Sequence, residues 1–415
     1  MKTGSNSTHL EFNNTLKRNT MAQIAHKMMY FIALCSFLPL YVLGAIIAVI
    51  AISFCVLPGT RDKIFTAGNS VILAAFLLMT AIVSLCYGNY TGLLGSVAFT
   101  SMLIVSAVAR ALATKRFFET LLNCFIVAGI AGTVGCIIER FIHRSDPTYR
   151  CQGFLDNPNF FGTAIALIIL ICAYKAIVRA KFLALYYVAA VFMAISIYFS
   201  ASMALWLVIF IGIFLLLVLS HEYKLLAIFM GIVAIAGVVI ILIPGLITRL
   251  DEVSKTTDNR IKIWSFAIEQ IKEAPIFGRG VLSYHFLYNK MVATRPELYK
   301  AALSHNLLLE SLVSFGIVGT LLVGTYFVTF FKTIFKCHDE LKKRGHSYII
   351  TTFITALFIT IACYGLMDTT VFAIQSGMII MFICSGIGVD ERELRHIYSA
   401  ERAERLKDDK QDNLN

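Results

Sequence analysis

Charge is scarce in this sequence. Only 15% of its 415 residues are charged, whereas 58% are hydrophobic, and the mean hydropathy is +0.77. A soluble domain carries about 25% charged residues, so this composition excludes a soluble fold. Apolar runs of roughly 18–25 residues recur along nearly the whole chain, and each can cross a bilayer as a helix. The short alternating segments of a membrane β-barrel are absent. The composition predicts an all-α, polytopic transmembrane helical bundle.

Other patterns that the sequence lacks exclude several kinds of site. The ten cysteines lie mostly inside apolar runs without a close-spaced pair, which indicates neither a zinc site nor a disulfide framework. The net charge is +11, yet no basic stretch is interleaved with aromatic residues, so we expect no nucleic-acid partner. Acidic residues between the apolar runs are scattered, which gives little support to a magnesium-dependent mechanism. We expect no metal and no cofactor.

Lysine and arginine mark one side of the predicted bundle. The basic short loops are TRDK (60–63), TKR (114–116), VRAK (178–181) and the stretch 335–346, whereas the loops at 88–90 and 200–202 are uncharged. Short basic loops face the cytoplasm. The predicted spans lie near 66–87, 90–113, 117–138, 160–178, 182–200, 203–220, 224–247, 307–335, 348–366 and 370–388. This register makes two long loops external, at 139–159 and 248–304.

The apolar run 28–57 leaves the span count open. It is about thirty residues long and contains Pro39, so it is either one tilted span or two short spans broken at the proline. If the Lys/Arg group before it is cytoplasmic, the run crosses twice, which favours twelve spans over eleven. The predicted organisation is an uncleaved cytoplasmic tail (1–27), a transmembrane domain (28–388) and a cytoplasmic tail (389–415).

The longer external loop is predicted to contain a short amphipathic helix, in the stretch DNRIKIWSFAIEQIKEAPIFGRG (258–280). Asp258 or Asn259 can cap its start, and Pro275 with Gly278 and Gly280 ends it. Four residues of this helix are spaced to share one face: Arg260, Trp264, Ile268 and Ile271. That face lies against the membrane or the bundle. Two interpretations of its arginine stay open, a snorkelling side chain and a ligand for substrate.

Two further segments carry polar residues at predicted external helix starts. In YRCQGFLDNPNFFG (149–162), Asn157 or Asn159 can cap the next span, and such caps also hold hydroxyl-rich ligands. In SHNLLLESLVSFGIVG (304–319), His305 is either a residue that bonds at the helix start or a general base for a hydroxyl. Glu310 could orient that base or bond a neighbouring helix, and Asp368 could simply mark a turn.

These three segments, in this order, resemble the superfamily of O-antigen ligases and O-antigen polymerases. The resemblance rests on three patterns: His305-Asn306, nine residues, Gly316-x-x-Gly319; Arg260-x-x-x-Trp264 followed by Pro275-x-x-Gly278-x-Gly280; and Arg150-x-x-Gly153-x-x-x-Asn157-Pro-Asn159. The similarity covers roughly 149–335. The aromatic and glycine positions (Trp264, Gly278, Gly280, Gly316, Gly319) are its structural part, and small residues allow close helix packing.

The resemblance implies a metal-independent enzyme of the bacterial cytoplasmic (inner) membrane, with its site on the external side. It implies a polyprenyl-diphosphate-linked glycan as donor, a lipid-linked or surface glycan hydroxyl as acceptor, and membrane lipid around both. His305 would activate the acceptor and Arg260 would bind the diphosphate. The further candidate ligands for substrate are Arg150, Asn159, Asn306 and Arg279. Many members have a second arginine where this chain has Met203, and Arg150 and Arg279 are the candidates to replace it.

Four interpretations remain open from the sequence. A ligase moves a finished chain to another acceptor such as a lipid core, whereas a polymerase adds growing chains to a new lipid-linked repeat, and the motif residues serve both. A transporter or flippase of a lipid-linked or small solute has the same gross hydropathy, but the two halves show no internal repeat. The last alternative is a noncatalytic structural role.

Overall fold

The structure, a computed structural model, describes residues 20–65, 70–146, 148–242, 253–295 and 303–412. These residues form α-helices and one short 3-10 helix, Thr370–Phe372, and they contain no strand. Seven of their helices are long and apolar enough to span a membrane, and three further apolar helices are shorter. The prediction of an all-α, polytopic membrane bundle is confirmed. The exact number of twelve spans stays a prediction.

The helices are numbered here in chain order. They are α1 (20–34), α2 (Leu40–Val56), α3 (Pro58–Phe65), α4 (Ser70–Cys86), α5 (Tyr90–Leu112), α6 (Lys115–Ile142), α7 (Pro158–Ile177), α8 (Leu183–Ser200), α9 (Met203–Leu219), α10 (Tyr223–Leu242), α11 (Val253–Glu273), α12 (Ser283–Met291), α13 (Leu307–Lys343), α14 (Ile349–Gly365), α15 (Ile374–Ser385) and α16 (Ile387–Asp412). Parts of the predicted tail 1–27 and of the predicted loop 248–304 lie outside the described residues, at 1–19, 248–252 and 296–302.

The apolar run 28–57 is broken at its proline. Helix α1 ends before Pro39, which precedes α2. Near the beginning of α2, Gly44 lies against Ile374, whereas Gly59, just beyond its end, lies against Met21 in the first turn of α1. The chain therefore reverses direction at Pro39, which agrees with the interpretation that this run crosses twice.

Three ion pairs lie at one end of the bundle, here called the basic end. Arg110 in the last turn of α5 pairs with Glu391 of α16 at 2.5 Å, and Lys175 in the last turn of α7 forms a buried ion pair with Glu119 of α6. Arg344, just after α13, also pairs with α16. This end carries the short basic loops, so it is the predicted cytoplasmic side. Helix α7 begins at the opposite end, where the candidate site lies.

Helix α7 is the centre of the bundle. It is apolar on every face, and its residues from Phe161 to Cys172 are all buried between neighbouring helices. A helix that is hydrophobic all round is one that is surrounded by protein. Because neighbouring helices enclose α7, they also hold its first turn in place. That turn carries Asn159.

Two predicted helix boundaries are wrong. Helix α11 begins at Val253, so Asp258 and Asn259 lie inside it and do not cap it. Aspartate and asparagine lower helix stability only slightly, so their presence does not require the helix to begin there. Its buried face is Ile263, Phe266 and Ala267, packed against α12 and α13, whereas Ile268 of the predicted face is 46% exposed.

Helix α13 continues to Lys343, through most of the basic stretch predicted as a loop.

Candidate active site

Four polar side chains from distant parts of the chain form one hydrogen-bonded row. His305 Nδ1 lies 3.2 Å from Asp368 Oδ1. Asn159 Nδ2 donates to Asp368 Oδ2 at 3.4 Å, and its Oδ1 accepts from Arg150 Nη2 at 2.6 Å. The row joins the segment before α7, the first turn of α7, the residue before the cap of α13 and the loop after α14. It brings together three residues that the sequence predicted for the site, Arg150, Asn159 and His305.

Asp368 is the residue of this row that the sequence analysis missed. Its side chain is only 6% exposed, and its carboxylate also accepts from the backbone N–H of Thr369 at 2.7 Å and from the hydroxyl of Tyr364 at 3.4 Å. A buried carboxylate needs such partners. With Nδ1 of His305 held by Asp368, Nε2 is the ring nitrogen left to accept a proton. The sequence did contain one indication of a role for Asp368, because an acidic residue between two apolar spans is rare.

The backbone beside His305 is held from two sides. Trp264 Nε1 of α11 donates to the carbonyl oxygen of Ser304 at 3.1 Å, and the N–H of Ser304 donates to Glu310 Oε2 at 3.3 Å. His305 itself has a φ of 50°, a left-handed conformation that most residues avoid. These bonds, together with the cap that follows, hold an unfavourable backbone conformation in place. Trp264 therefore links α11 to the backbone beside His305.

Replacing Trp264 with phenylalanine tests this link. We expect Trp264→Phe to fold normally and to lower the rate of the reaction about fivefold, because one hydrogen bond contributes about 1 kcal/mol. The other tryptophan, Trp206 on α9, is 45% exposed and is the matched control. Rates measured on both purified variants decide the point. An equal loss in Trp206→Phe would contradict a specific role for Trp264.

Asn306 caps α13. Its Oδ1 accepts from the N–H groups of Leu308 and Leu309, each at 3.1 Å, and its Nδ2 points to the carbonyl oxygen of Leu366 at 3.5 Å. Asn157 caps α7 in the same way, accepting from the N–H groups of the first turn. Both asparagines thus fix the helix starts beside the row. A role of Asn306 in binding substrate stays a prediction.

The predicted arginines have different surroundings. Arg150 Nε donates to the carbonyl oxygen of Ser200 at 2.9 Å, in addition to its bond to Asn159. Arg260 is half-buried on α11, one turn before Trp264, and makes no hydrogen bond or ion pair with the residues that the structure describes. None of the described residues therefore competes with an anion for its guanidinium.

Arg279 is engaged elsewhere. Its side chain is largely buried and donates to Gln270 Oε1 at 3.0 Å and to Glu273 Oε2 at 2.6 Å, both on α11. These bonds fasten the end of α11 to the turn that follows it. The bonds of Arg279 go to α11 and not to the row that contains His305, and its role as a ligand for substrate stays a prediction.

Two glycines of the motifs, Gly278 and Gly316, are in close backbone contact. Helix α13 is interrupted at Gly316, where φ is 62° and ψ is −167°. A Cβ on Gly278 would lie 2.7 Å from the backbone nitrogen of Gly316, and a Cβ on Gly316 would lie 2.5 Å from that of Gly278. The interrupted helix regains its hydrogen bonds from this neighbour, because Ile317 N–H donates to Pro275 O at 2.9 Å and Val318 N–H to Ile276 O at 3.0 Å.

The other two motif glycines pack against α4. A Cβ on Gly280 would collide with Ser84, and one on Gly319 would come within 2.6 Å of Met79 Cε. The N–H of Gly280 also donates to Ser314 O at 2.8 Å. The segment 275–280 is therefore clamped between α4 and the interruption in α13. This clamp sets where α11, and with it Trp264, lies relative to His305.

Residues 188–324 match the sequence model of a family described as O-antigen ligase. Over these residues the chain is similar to the O-antigen ligases. The match covers about a third of the chain, including α11, the clamped glycines and His305, and it confirms the resemblance predicted from the motifs. Arg150, Asn159 and Asp368 lie outside the matched residues. No curated protein matches the chain.

The family match carries coarse functional information. It supports a membrane glycosyltransferase-like ligase and polymerase family, and that family implies lipid-linked glycans and their acceptors as partners in general. Together with the apolar helices, the match supports a multi-pass membrane protein. The match leaves the donor, the acceptor and the reaction to be argued from the site itself.

Proposed function

We propose that the chain is a glycosyltransferase that moves a glycan from a polyprenyl-diphosphate carrier to a hydroxyl acceptor at the outer face of the bacterial cytoplasmic membrane. The observation that carries the proposal is the row from Arg150 through Asn159 and Asp368 to His305. It combines a cation for a phosphate with an oriented imidazole for a hydroxyl. Both groups are needed for this reaction, and both lie at the end of the bundle away from the basic end.

In the proposed step, His305 Nε2 takes the proton of the acceptor hydroxyl. The acceptor oxygen forms a bond to the anomeric carbon of the donor sugar, and the bond from that carbon to the diphosphate oxygen breaks. The diphosphate leaves with the electron pair. Asp368 stabilises the imidazolium that forms and holds the ring in one tautomer. General-base catalysis of this kind contributes about 10²–10⁴-fold.

Arginines bind the departing diphosphate in this proposal. The guanidinium group matches phosphate oxygens with two parallel hydrogen bonds, and its charge offsets the charge that gathers on the leaving group. Arg260 and Arg150 take this role. Arg150 bonds to Ser200, three residues before Met203, so it supplies a cation close to the position where many family members have their second arginine. The bonds of Arg279 to α11 make it the weaker candidate.

A reconstituted transfer assay tests the proposal. The purified chain in vesicles receives a polyprenyl-diphosphate-linked repeat and an acceptor, with and without a chelator. We expect transfer in both conditions, and we expect Arg150→Ala to raise the KM for the donor at least tenfold, because a hydrogen bond to a charged group contributes about 1.5–3 kcal/mol. In Arg279→Ala, the folded fraction keeps the wild-type KM.

The product of the same assay separates the two activities. A polymerase elongates the lipid-linked repeats, whereas a ligase leaves the donor chains unextended and attaches them to a different acceptor. An unchanged donor KM in Arg150→Ala would remove Arg150 from the donor site. Absence of any glycan transfer by the wild type with both acceptor classes would overturn the proposed function.

A further inference from the structure

Two buried thiols meet beside the Arg150 segment. Cys136 lies on α6 and Cys151 directly follows Arg150, and their thiol groups are close enough to interact. Both residues are fully buried. They are fifteen positions apart in the chain, which is why cysteine spacing alone did not indicate a pair. The fold, and not the local sequence, brings the two sulfur atoms together.

Several bonds around the two thiols enforce this contact. Glu139, one turn after Cys136 on α6, accepts from the hydroxyl of Tyr149 at 2.8 Å and from the N–H groups of Gln152 and Gly153 at 3.0 and 2.7 Å. Hydrogen bonding to Glu139 raises the pKa of Tyr149 to about 12, so its hydroxyl keeps the proton that it donates. The segment that contains Cys151 is thereby laid along the last turns of α6.

We propose that Cys136 and Cys151 form a disulfide bond that fastens the Arg150 segment to α6. The proposal rests on the external placement of this end in the proposed function, since disulfides persist in oxidising compartments outside the cytoplasm. The bond forms by exchange with a protein disulfide of that compartment. Two S–H bonds are lost, one S–S bond forms between Cys136 and Cys151, and the oxidant is reduced to two thiols that take up the two protons.

The disulfide bond would act on the site through Arg150. The guanidinium of Arg150 reaches Asn159 and Ser200 from a segment without regular secondary structure. A covalent link at the next residue restricts the positions that this segment can adopt, both before and after folding. The diphosphate ligand is then held in place before the donor arrives.

Counting free thiols in the intact protein tests the bond. The full chain is purified from membranes without reductant, denatured in a maleimide and digested. We expect eight alkylated cysteines, since ten minus the two that are bonded leaves eight, and a cross-linked peptide pair that contains Cys136 and Cys151. After reduction, all ten are alkylated. Alkylation of all ten without reduction would overturn the disulfide.

A topology measurement separates this proposal from the proposed function. Ser145 is exposed between the two cysteines. Labelling with a membrane-impermeant maleimide is compared in whole cells between Cys136→Ala, Cys151→Ala with and without Ser145→Cys, and only the additional labelling reports on position 145, because Cys86 is also exposed. Labelling from outside together with ten free thiols overturns the disulfide alone. Absence of labelling from outside, with labelling after lysis, overturns the external placement, and both proposals fail.

Thermal unfolding supplies the matched control. We expect a reductant to lower the unfolding temperature of the wild type and to have no effect on the Cys136→Ala, Cys151→Ala double variant. Cys172 is buried on α7 and is not part of the pair. The Cys172→Ala variant should therefore respond to the reductant as the wild type does. An unfolding temperature of the wild type that is the same with and without reductant would contradict the proposal.

Discussion

If His305 is the general base of the proposed transfer, His305→Ala should lower glycan transfer at least about 100-fold while the protein stays folded and inserted. This is the loss expected when the general base of a proton transfer is removed. The side chain of His305 is 24% exposed and has a single described polar partner, Asp368, so its truncation removes little packing. Transfer is measured with purified protein and a lipid-linked donor, and folding by thermal unfolding of the same samples.

Two further variants make this result specific to the imidazole. Because asparagine tolerates the left-handed conformation that His305 adopts, His305→Asn should keep the fold and still lose transfer. His285 on the neighbouring helix α12 bonds to Asn289, and His285→Ala should retain activity. Full activity in His305→Asn would show that no proton passes through this position.

We expect Gly316→Ala to destabilise the protein by about 2–6 kcal/mol. The φ and ψ of Gly316 lie in a region that is essentially restricted to glycine, and such strain costs about 1–3 kcal/mol. The added methyl group would also lie 2.5 Å from the backbone nitrogen of Gly278, and overpacking costs about 1–3 kcal/mol more. The obstacle is backbone, so no rotamer change relieves it. Thermal unfolding in one detergent measures the difference.

The same helix offers a matched control for this substitution. Gly324 on α13 has no atom within 4 Å of the position that a Cβ would occupy. Gly324→Ala should be neutral or slightly stabilising, because alanine favours a helix over glycine by about 1 kcal/mol. If Gly316→Ala and Gly324→Ala unfold at the same temperature, the clamp between Gly278 and Gly316 does not contribute to stability.

The fold class followed from the sequence because composition and the length of the apolar runs determine it. The ends of the helices were harder to predict from the sequence. The basic stretch after α13 indicated a loop, yet the helix continues through it, because Arg344 and Glu340 bond to the C-terminal helix α16 and hold its last turns. Such support from a helix that comes later in the chain leaves no local pattern.

The candidate site was predicted in part. Arg150, Asn159 and His305 were named from the motifs, and the fold brings them into one row with Asp368. The sequence allows Asp368 to be a simple turn residue, because it lies 63 positions from His305 and belongs to no motif. Its position between two apolar spans indicated an unusual acidic residue, but only the fold shows that it contacts His305. The sequence did not predict the partners of Arg279 either. Its acidic partner Glu273 is only six residues away, but a glutamate there also fits the solvent-exposed end of a helix.

The most direct test of the central claim uses cells that lack this protein. The length distribution and attachment of their surface polysaccharide are measured after supplying the wild type, His305→Ala or Arg260→Ala. The account predicts that only the wild type restores long or attached chains, while single repeats or free lipid-linked chains accumulate with either variant. Equal restoration by all three would contradict a glycosyltransferase site at His305 and would favour a transporter.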